Sequence, residues 1–324
     1  MSNPISRAVL VTGGAGYIGS QTAARLNEAG YLPVVLDNLS TGHRENVKWG
    51  PFHLGDISDS KIVSEICDTY EPIGAIHFAG SAYVGESVEN PFKYFENNTA
   101  KSAQLIGTLS SCGVHNLVFS STCATYGEPS VDRISESQVQ TPINPYGVSK
   151  LLVEKILLSA SSVSQLRFVA LRYFNAAGGD PEYGLLENHN PETHLLPILI
   201  RAASEGLTFR VNGGDYQTAD GSPVRDFIHI RDLADAHVKA LEYLVAGGSS
   251  EFINLGSGNG TSIFELIDKV QTFGYELKVE IGSRRPGDPA KLVADPTKAK
   301  KLLNWETAYS SVENILESAG LQRK

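Results

Sequence analysis

The sequence predicts an α/β fold: a Rossmann-like doubly wound parallel sheet with a smaller C-terminal α/β unit that binds substrate. Three observations carry this. Apolar runs with little polar alternation recur at residues 9–11, 32–36, 75–78, 117–120 and 168–171. Helical patterns at residues 60–70, 98–112 and 146–159 separate several of them. A glycine-rich turn follows the first run. Strands apolar on both faces belong inside a sheet covered by crossover helices, which makes it parallel.

The first run ends in Thr12-Gly13-Gly14-Ala15-Gly16-Tyr17-Ile18-Gly19, and a helical pattern then continues to Gly30. Glycines there let the backbone turn tightly and approach a pyrophosphate held by the free N–H groups of a helix N-terminus. Gly14, Gly16 and Gly19 fit G-x-G-x-x-G; Gly13, Gly16 and Gly19 fit G-x-x-G-x-x-G. The second run ends in Asp37, near the interval of about 20 residues expected for the acid that binds an adenosine ribose. Asp37-Asn38 argues for NAD, since a carboxylate repels the extra phosphate of NADP, although Arg44 is near enough in sequence to leave that choice open. Ligands of such sheets lie beyond the carboxyl ends of the strands. The residues after each run are therefore informative: Gly13, Asp37, Asp56, Ala79-Gly80, Ser121-Thr122 and Tyr173-Phe174-Asn175.

Residues 144–150, Asn-Pro-Tyr-Gly-Val-Ser-Lys, begin the helix after the fourth run. Asn144 reads as an N-cap and Pro145 as the first helical residue. At a spacing of four, Tyr146 and Lys150 share one face, so the cation can favour the ionised phenol. The positive end of the helix dipole acts in the same direction. That is a way to make a tyrosine a base. After Gly178-Gly179-Asp180 the texture changes to a loop over residues 182–197 bearing Pro, Asn and His. We therefore expect a NAD-binding unit over residues 1–180, to which the chain returns around 226–257, and a smaller substrate-binding unit over 181–324.

Composition narrows the partners. The 324 residues are 41% hydrophobic, enough for a large core, and the net charge of −9 opposes nucleic-acid binding. No stretch approaches the roughly 20 apolar residues that span a bilayer, and residues 1–7 carry no charged-then-apolar leader, so a cytoplasmic protein without membrane attachment is expected. Cys67, Cys112 and Cys123 form no Cys-x-x-Cys pair, which suggests neither a disulfide framework nor a metal site.

With the glycine turn, Ser120-Ser121-Thr122, and Tyr146 with Lys150 in this order, the chain resembles the extended short-chain dehydrogenase/reductases and, among them, the UDP-glucose 4-epimerase family. The more specific likeness lies in Arg172-Tyr173-Phe174-Asn175, in Val224-Arg225-Asp226-Phe227-Ile228-His229, and in Arg284-Arg285-Pro286-Gly287-Asp288-Pro289, which resemble that family's nucleotide-sugar site. The resemblance implies that Tyr146 is the catalytic base, that Lys150 stabilises its phenolate and contacts the nicotinamide ribose, and that Thr122 holds the sugar O4. For the cofactor it implies Gly13, Gly16, Tyr17, Ile18 and Gly19 at the pyrophosphate, Asp37 and Asn38 at the ribose, and Asp56 and Ile57 at the adenine. Phe78, Ala79, Gly80, Asn97, Ser120 and Tyr173 line the cofactor further along.

For the substrate it implies Arg225, Arg285 and Asn175 at the diphosphate, Asp288 at the uridine ribose, and His194 and Leu195 in a segment that closes over the sugar nucleotide. Leu292 stands where a bulky tyrosine goes with refusing N-acetyl sugars, and leucine is intermediate. Several of these have other readings: Phe78 and Ile57 as core, Asn97 as a capped turn, Arg225 as an ion pair with Asp226, and His194 as a packed or solvated loop residue. A lysine that many relatives place two residues after the glycine of His77-Phe78-Ala79-Gly80 is Ala82 here.

Competing activities are graded by the residues. A 4,6-dehydratase expects Asp-Glu after the serine or threonine, and Cys123-Ala124 supplies no carboxylate. A UDP-xylose/arabinose or UDP-N-acetylhexosamine 4-epimerase uses the same residues. A silent NAD-binding scaffold commonly lacks the tyrosine or lysine, and an alcohol dehydrogenase releases NADH. The resemblance also implies a homodimer built on the helices around residues 91–112 and 146–160.

Overall fold

The computed structural model describes residues 7–188, 192–285 and 288–324. Pro286 and Gly287 of the arginine-bearing motif, and residues 189–191 of the loop, lie outside the described residues.

Seven strands form one parallel sheet: β1 (Ala8–Thr12), β2 (Leu32–Asp37), β3 (Phe52–Leu54), β4 (Gly74–His77), β5 (Asn116–Thr122), β6 (Arg167–Tyr173) and β11 (Glu251–Leu255). Their spatial order is β11-β6-β5-β4-β1-β2-β3. The order reverses at β1, between β2 and β4, which opens a crevice at the carboxyl edge. Between β6 and β11 the chain forms β7 (Asn175–Ala177), β8 (Thr208–Asn212), β9 (Val224–Arg225) and β10 (Phe227–His229); β12 (Thr261–Ser262), β13 (Lys278–Gly282) and β14 (Lys291–Leu292) follow. These make three small sheets, β10-β7, β12-β9-β14 and β13-β8.

The helices relevant here are α1 (Tyr17–Glu28), α2 (Ser60–Tyr70), α3 (Val84–Glu89), α4 (Pro91–Tyr94), α5 (Lys101–Ser111), α6 (Pro145–Val163), α7 (Leu195–Glu205), α8 (Ile230–Val245), α9 (Ile263–Thr272) and α10 (Thr297–Leu303). The apolar runs explain themselves in this frame. Along β1, Ala8 and Leu10 join one core with Ile66 of α2, Leu105 of α5 and Val153 of α6. Val9 and Val11 join the other with Leu26 of α1 and Leu233 and Leu241 of α8. Side chains alternate between faces, and both faces are covered, so the run from Ala8 to Val11 is apolar throughout. Each such fully buried side chain contributes roughly 1.5–3 kcal/mol.

β11 pairs with β6, Glu251 opposite Val169, and α8 packs below, so residues 230–255 belong to the large sheet. Ala299 and Leu303 of α10, with Trp305, pack there too, a part of the chain assigned to the smaller unit by sequence. The smaller sheets close over a third core that includes Leu199 of α7, Phe209, Val211 and Leu266 of α9.

Candidate active site

Gly13, Gly14 and Gly19 each stand where an added Cβ would meet a neighbour at under 3 Å, so both glycine spacings fit the turn. Gly13 has φ +73, and a Cβ there would lie 2.6 Å from the Ala79 nitrogen. A Cβ on Gly19 would lie 2.2 Å from the Gly13 carbonyl oxygen. Gly16 is the N-cap of α1 and brings no side chain to its first N–H groups. An uncapped helix start behind a tight turn is where a pyrophosphate fits. Asp37, at the end of β2, braces the turn: one carboxylate oxygen accepts from the Ala15 N–H (3.0 Å) and the other from that of Leu39 (2.8 Å). Arg44 lies over the Phe52 ring, 4.5 Å to its centroid, and donates to the Val47 carbonyl. Its guanidinium is thus already engaged.

Asp56 accepts from Asn38 (3.2 Å), Lys101 (2.7 Å) and Ser58 (2.7 Å). Burial pushes its carboxyl up, but Lys101 and Ser58 outweigh this and hold it at about 2. Ile57 is buried in the core with Leu36, Val63 and Ile66. Phe78 is partly buried against the second core, its ring 4.6 Å from that of His237.

Residues 91–111 do not form one regular helix. A π-helical segment, Phe95–Ala100, joins α4 to α5 and contains Asn97 and Asn98. Asn97 donates to Ser81 Oγ (3.1 Å), and Asn98 to the Ser81 carbonyl (2.9 Å) and Ser149 Oγ (3.0 Å). Such π segments recur at functional sites. Asn98 and Ser149 escaped the sequence reading; the signal was the serine placed directly before Lys150. His77 was also missed. Its ring joins Thr12 Oγ1 (2.7 Å) to Ser102 Oγ (2.8 Å), and burial, then Lys150, push it down to about 3, so it bridges β1 and α5 as neutral imidazole.

Asn144 caps α6, its Oδ1 accepting from the Gly147 N–H (2.8 Å), with Pro145 in the first turn. A Cβ on Gly147 would lie 2.5 Å from the Ala124 carbonyl oxygen, so glycine lets the helix start press against the turn after β5. That brings Tyr146 and Thr122 together. Tyr146 is 8% exposed, and its phenol is raised above the ordinary tyrosine value: burial dominates, the Tyr173 phenol adds, and a hydrogen bond with Thr122 opposes. The expected lowering of Tyr146 is therefore not found in this chain by itself. Lys150 instead donates to the Ser120 carbonyl (2.9 Å) above the Phe119 ring, and burial pushes its ammonium down to about 8. Ser120 Oγ shares a 2.6 Å hydrogen bond with Tyr173 Oη. Ala79 and Gly80 adjoin this group, since a Cβ on Gly80 would lie 3.4 Å from Lys150 Nζ.

The residues expected at the substrate come from the small sheets. Arg225 does not pair with its neighbour Asp226, whose carboxylate accepts from the backbone of Ser257 (2.8 Å), Gly258 (3.0 Å) and Ala294 (3.1 Å). Arg225 pairs with Asp288 and also donates to the Val224 carbonyl (2.8 Å). Asn175 stands opposite Phe227 in the β7–β10 pair, two residues beyond Arg225. The Arg285 guanidinium faces the Asn212 side chain, 3.0 and 3.2 Å with that amide's oxygen turned toward it. Leu292 packs against the cluster of Cys123, Tyr126 and Phe174, beside the Thr122 turn.

His194, just before Leu195 at the start of α7, lies 2.9 Å from Glu187 and 2.8 Å from Glu192. Burial pushes its imidazole down, but the two carboxylates outweigh it and raise it to about 9. Arg172, which opens the motif running to Asn175, is 3% exposed and bonded to Glu154 (2.9 and 2.7 Å).

The chain is similar to known proteins. The NAD dependent epimerase/dehydratase family matches residues 9–256. A UDP-glucose 4-epimerase of Rhizobium leguminosarum bv. trifolii is 47% identical over 313 residues, 96% of this chain and 95% of that one. The crystal structure of the Brucella ovis UDP-glucose 4-epimerase in complex with NAD superposes with a TM-score of 0.94 at 47% identity, covering 98% of this chain and 99% of that one. The UDP-Glc/GlcNAc 4-epimerase of Campylobacter jejuni superposes with a TM-score of 0.83 at 38% identity, covering 96% and 97%. The glycine turn and the tyrosine–lysine helix thus sit in a chain that belongs to the NAD dependent epimerase/dehydratase family.

Proposed function

We propose that this protein is a UDP-glucose 4-epimerase, interconverting UDP-galactose and UDP-glucose through a transient 4-keto sugar with NAD kept bound. The observation that carries the reading is the convergence of Tyr146 and Thr122 beside Lys150, Ser120 and Tyr173 at the sheet edge that also bears the uncapped glycine turn. When bound, NAD supplies the acceptor and donor of hydride for sugar C4. The chain's own residues do the rest. Thr122 holds O4 in line, and Tyr146 takes the proton of the 4-hydroxyl and returns it. Burial keeps the resting phenol protonated, so its ionisation draws on positive charge brought to the site, to which Lys150 and the N-terminus of α6 contribute. Arg225 and Arg285 meet the diphosphate, their planar donors matching paired oxygens. Asp288 leaves Arg225 to take the uridine ribose hydroxyls. Incubation with UDP-galactose, followed by proton NMR of the anomeric signal, tests this: UDP-glucose forms without added NAD, and an unchanged substrate contradicts it.

Leu292, half-buried beside Cys123, favours a second reading in which N-acetylhexosamines are also turned over, because leucine is smaller than tyrosine at that wall. UDP-N-acetylglucosamine in the same assay decides it.

The protein acts as a homodimer in the cytosol, with residues 1–180 and 226–257 forming the NAD unit, on whose core Ala299, Leu303 and Trp305 also pack, and the remainder of 181–324 the sugar-nucleotide unit. Three free cysteines accord with the compartment, and among the described residues no helix is long and apolar enough to cross a membrane. The outer face of α6 supports the dimer: Leu152, Ile156, Ala160 and Val163 line a groove with Thr99, and Val163 is 85% exposed. Phe92, 82% exposed, stands on α4, which packs against α6. Sedimentation as a monomer at micromolar concentration contradicts the dimer.

A further inference from the structure

We propose that Glu154 and Arg172 are positioning residues for this reaction: their buried pair locks the helix carrying Tyr146 and Lys150 onto the strands carrying Ser120, Thr122 and Tyr173. The proposal rests on the roles given above to Tyr146 and Thr122. Glu154 follows Lys150 by four residues and Tyr146 by eight, so the three side chains descend one face of α6. It is 1% exposed. Its carboxylate accepts from Ser121 Oγ (2.6 Å), Arg172 Nε (2.9 Å), Arg172 Nη2 (2.7 Å) and Gln140 Nε2 (2.8 Å).

The register gives these contacts their meaning. Ser121 and Arg172 face each other across β5 and β6, one step before the facing pair Thr122 and Tyr173. The pair therefore grips both strands directly behind the residues that meet the sugar and the cofactor. Arg172 Nη1 donates to Tyr126 Oη (2.9 Å), which in turn donates to Asn254 Oδ1 (2.7 Å). Tyr126 ends the turn that Thr122 begins, so Arg172 holds the far end of that turn while it faces Ser121, the residue before its start. Buried ion pairs are poor stabilisers compared with apolar side chains of similar volume. What a bidentate pair adds is a fixed direction, and small displacements of a reacting group carry large losses of rate.

The test compares two variants of the holoenzyme: Glu154→Gln, and Glu154→Met combined with Arg172→Met. For Glu154→Gln, kcat falls about 10- to 100-fold, KM for UDP-galactose stays within about twofold, and crystals show Tyr146 Oη displaced from Thr122 Oγ1. The double variant regains the parent's thermal stability, yet its kcat stays low. Recovery of kcat together with stability overturns the proposal, as does a Glu154→Gln enzyme with the parent's kcat and an unmoved Tyr146. If the parent turns over no UDP-hexose, the functional reading fails, while the position of Tyr146 in the variant crystals still decides the positioning claim.

Discussion

The central strands of the large sheet, such as β1 and β6, are buried along nearly their whole length, whereas β8 alternates buried Phe209 and Val211 with exposed neighbours, and β9, β12 and β14 are two residues each. The sites built on them differ in the same way. At the glycine turn the chain presents backbone, fixed by contacts that a single added carbon would violate. On the small sheets it presents charged side chains that satisfy one another, Arg225 with Asp288 and Arg284 with Asp215. In the function proposed above, one region recognises by shape set in advance and the other exchanges internal ion pairs for ligand contacts.

The largest effect is expected where the two regions meet. Tyr146→Phe removes the proton acceptor and should lower kcat by at least about 10²- to 10⁴-fold, with folding and bound NAD intact by circular dichroism and cofactor content. Next comes the charged region. Arg225→Met, which leaves Asp288 without its partner, should raise KM for UDP-galactose about 10- to 100-fold, as expected for hydrogen bonds to charged groups worth about 1.5–3 kcal/mol, with NAD content unchanged. Gly19→Ala strikes the other region: its Cβ meets the Gly13 carbonyl, so NAD content should drop and stability fall by about 1–3 kcal/mol. A loss of NAD in Arg225→Met, or of UDP-sugar affinity alone in Gly19→Ala, erases the distinction between the regions.

The smallest effect concerns pH. The imidazole of His194 is raised from the usual 6.5 to about 9 by Glu187 and Glu192 against the opposing effect of burial. A raised histidine contributes stability that is whole below the unfolded value and is lost as pH rises through the folded one. The melting temperature of the parent should therefore exceed that of His194→Gln at pH 6, and the gap should close as pH rises past about 9. A gap independent of pH contradicts that pairing.

Much of this was legible in the sequence because it is local. The apolar runs and the Asn144 cap with Pro145 depend on neighbours within a few residues, and the structure places β1 and that cap as read. The pairings that shape the rest span long intervals: Glu154 to Arg172 over 18 residues, Arg225 to Asp288 over 63. No periodicity reports them. Arg172 entered the sequence reading only as the first residue of its motif; only the fold shows the Glu154 carboxylate bonded to it. Ile57 was ambiguous for a related reason, since a side chain after a strand can point to crevice or core.

The most direct test of the account uses UDP-galactose deuterated at C4, with purified protein and no added NAD, and reads the product by proton and deuterium NMR. Transfer from C4 and return to the same carbon predicts UDP-glucose with the deuterium still at C4 and no accumulation of free NADH. Loss of the deuterium to water, its appearance in released NADH, or a product that has shed water contradicts the central claim.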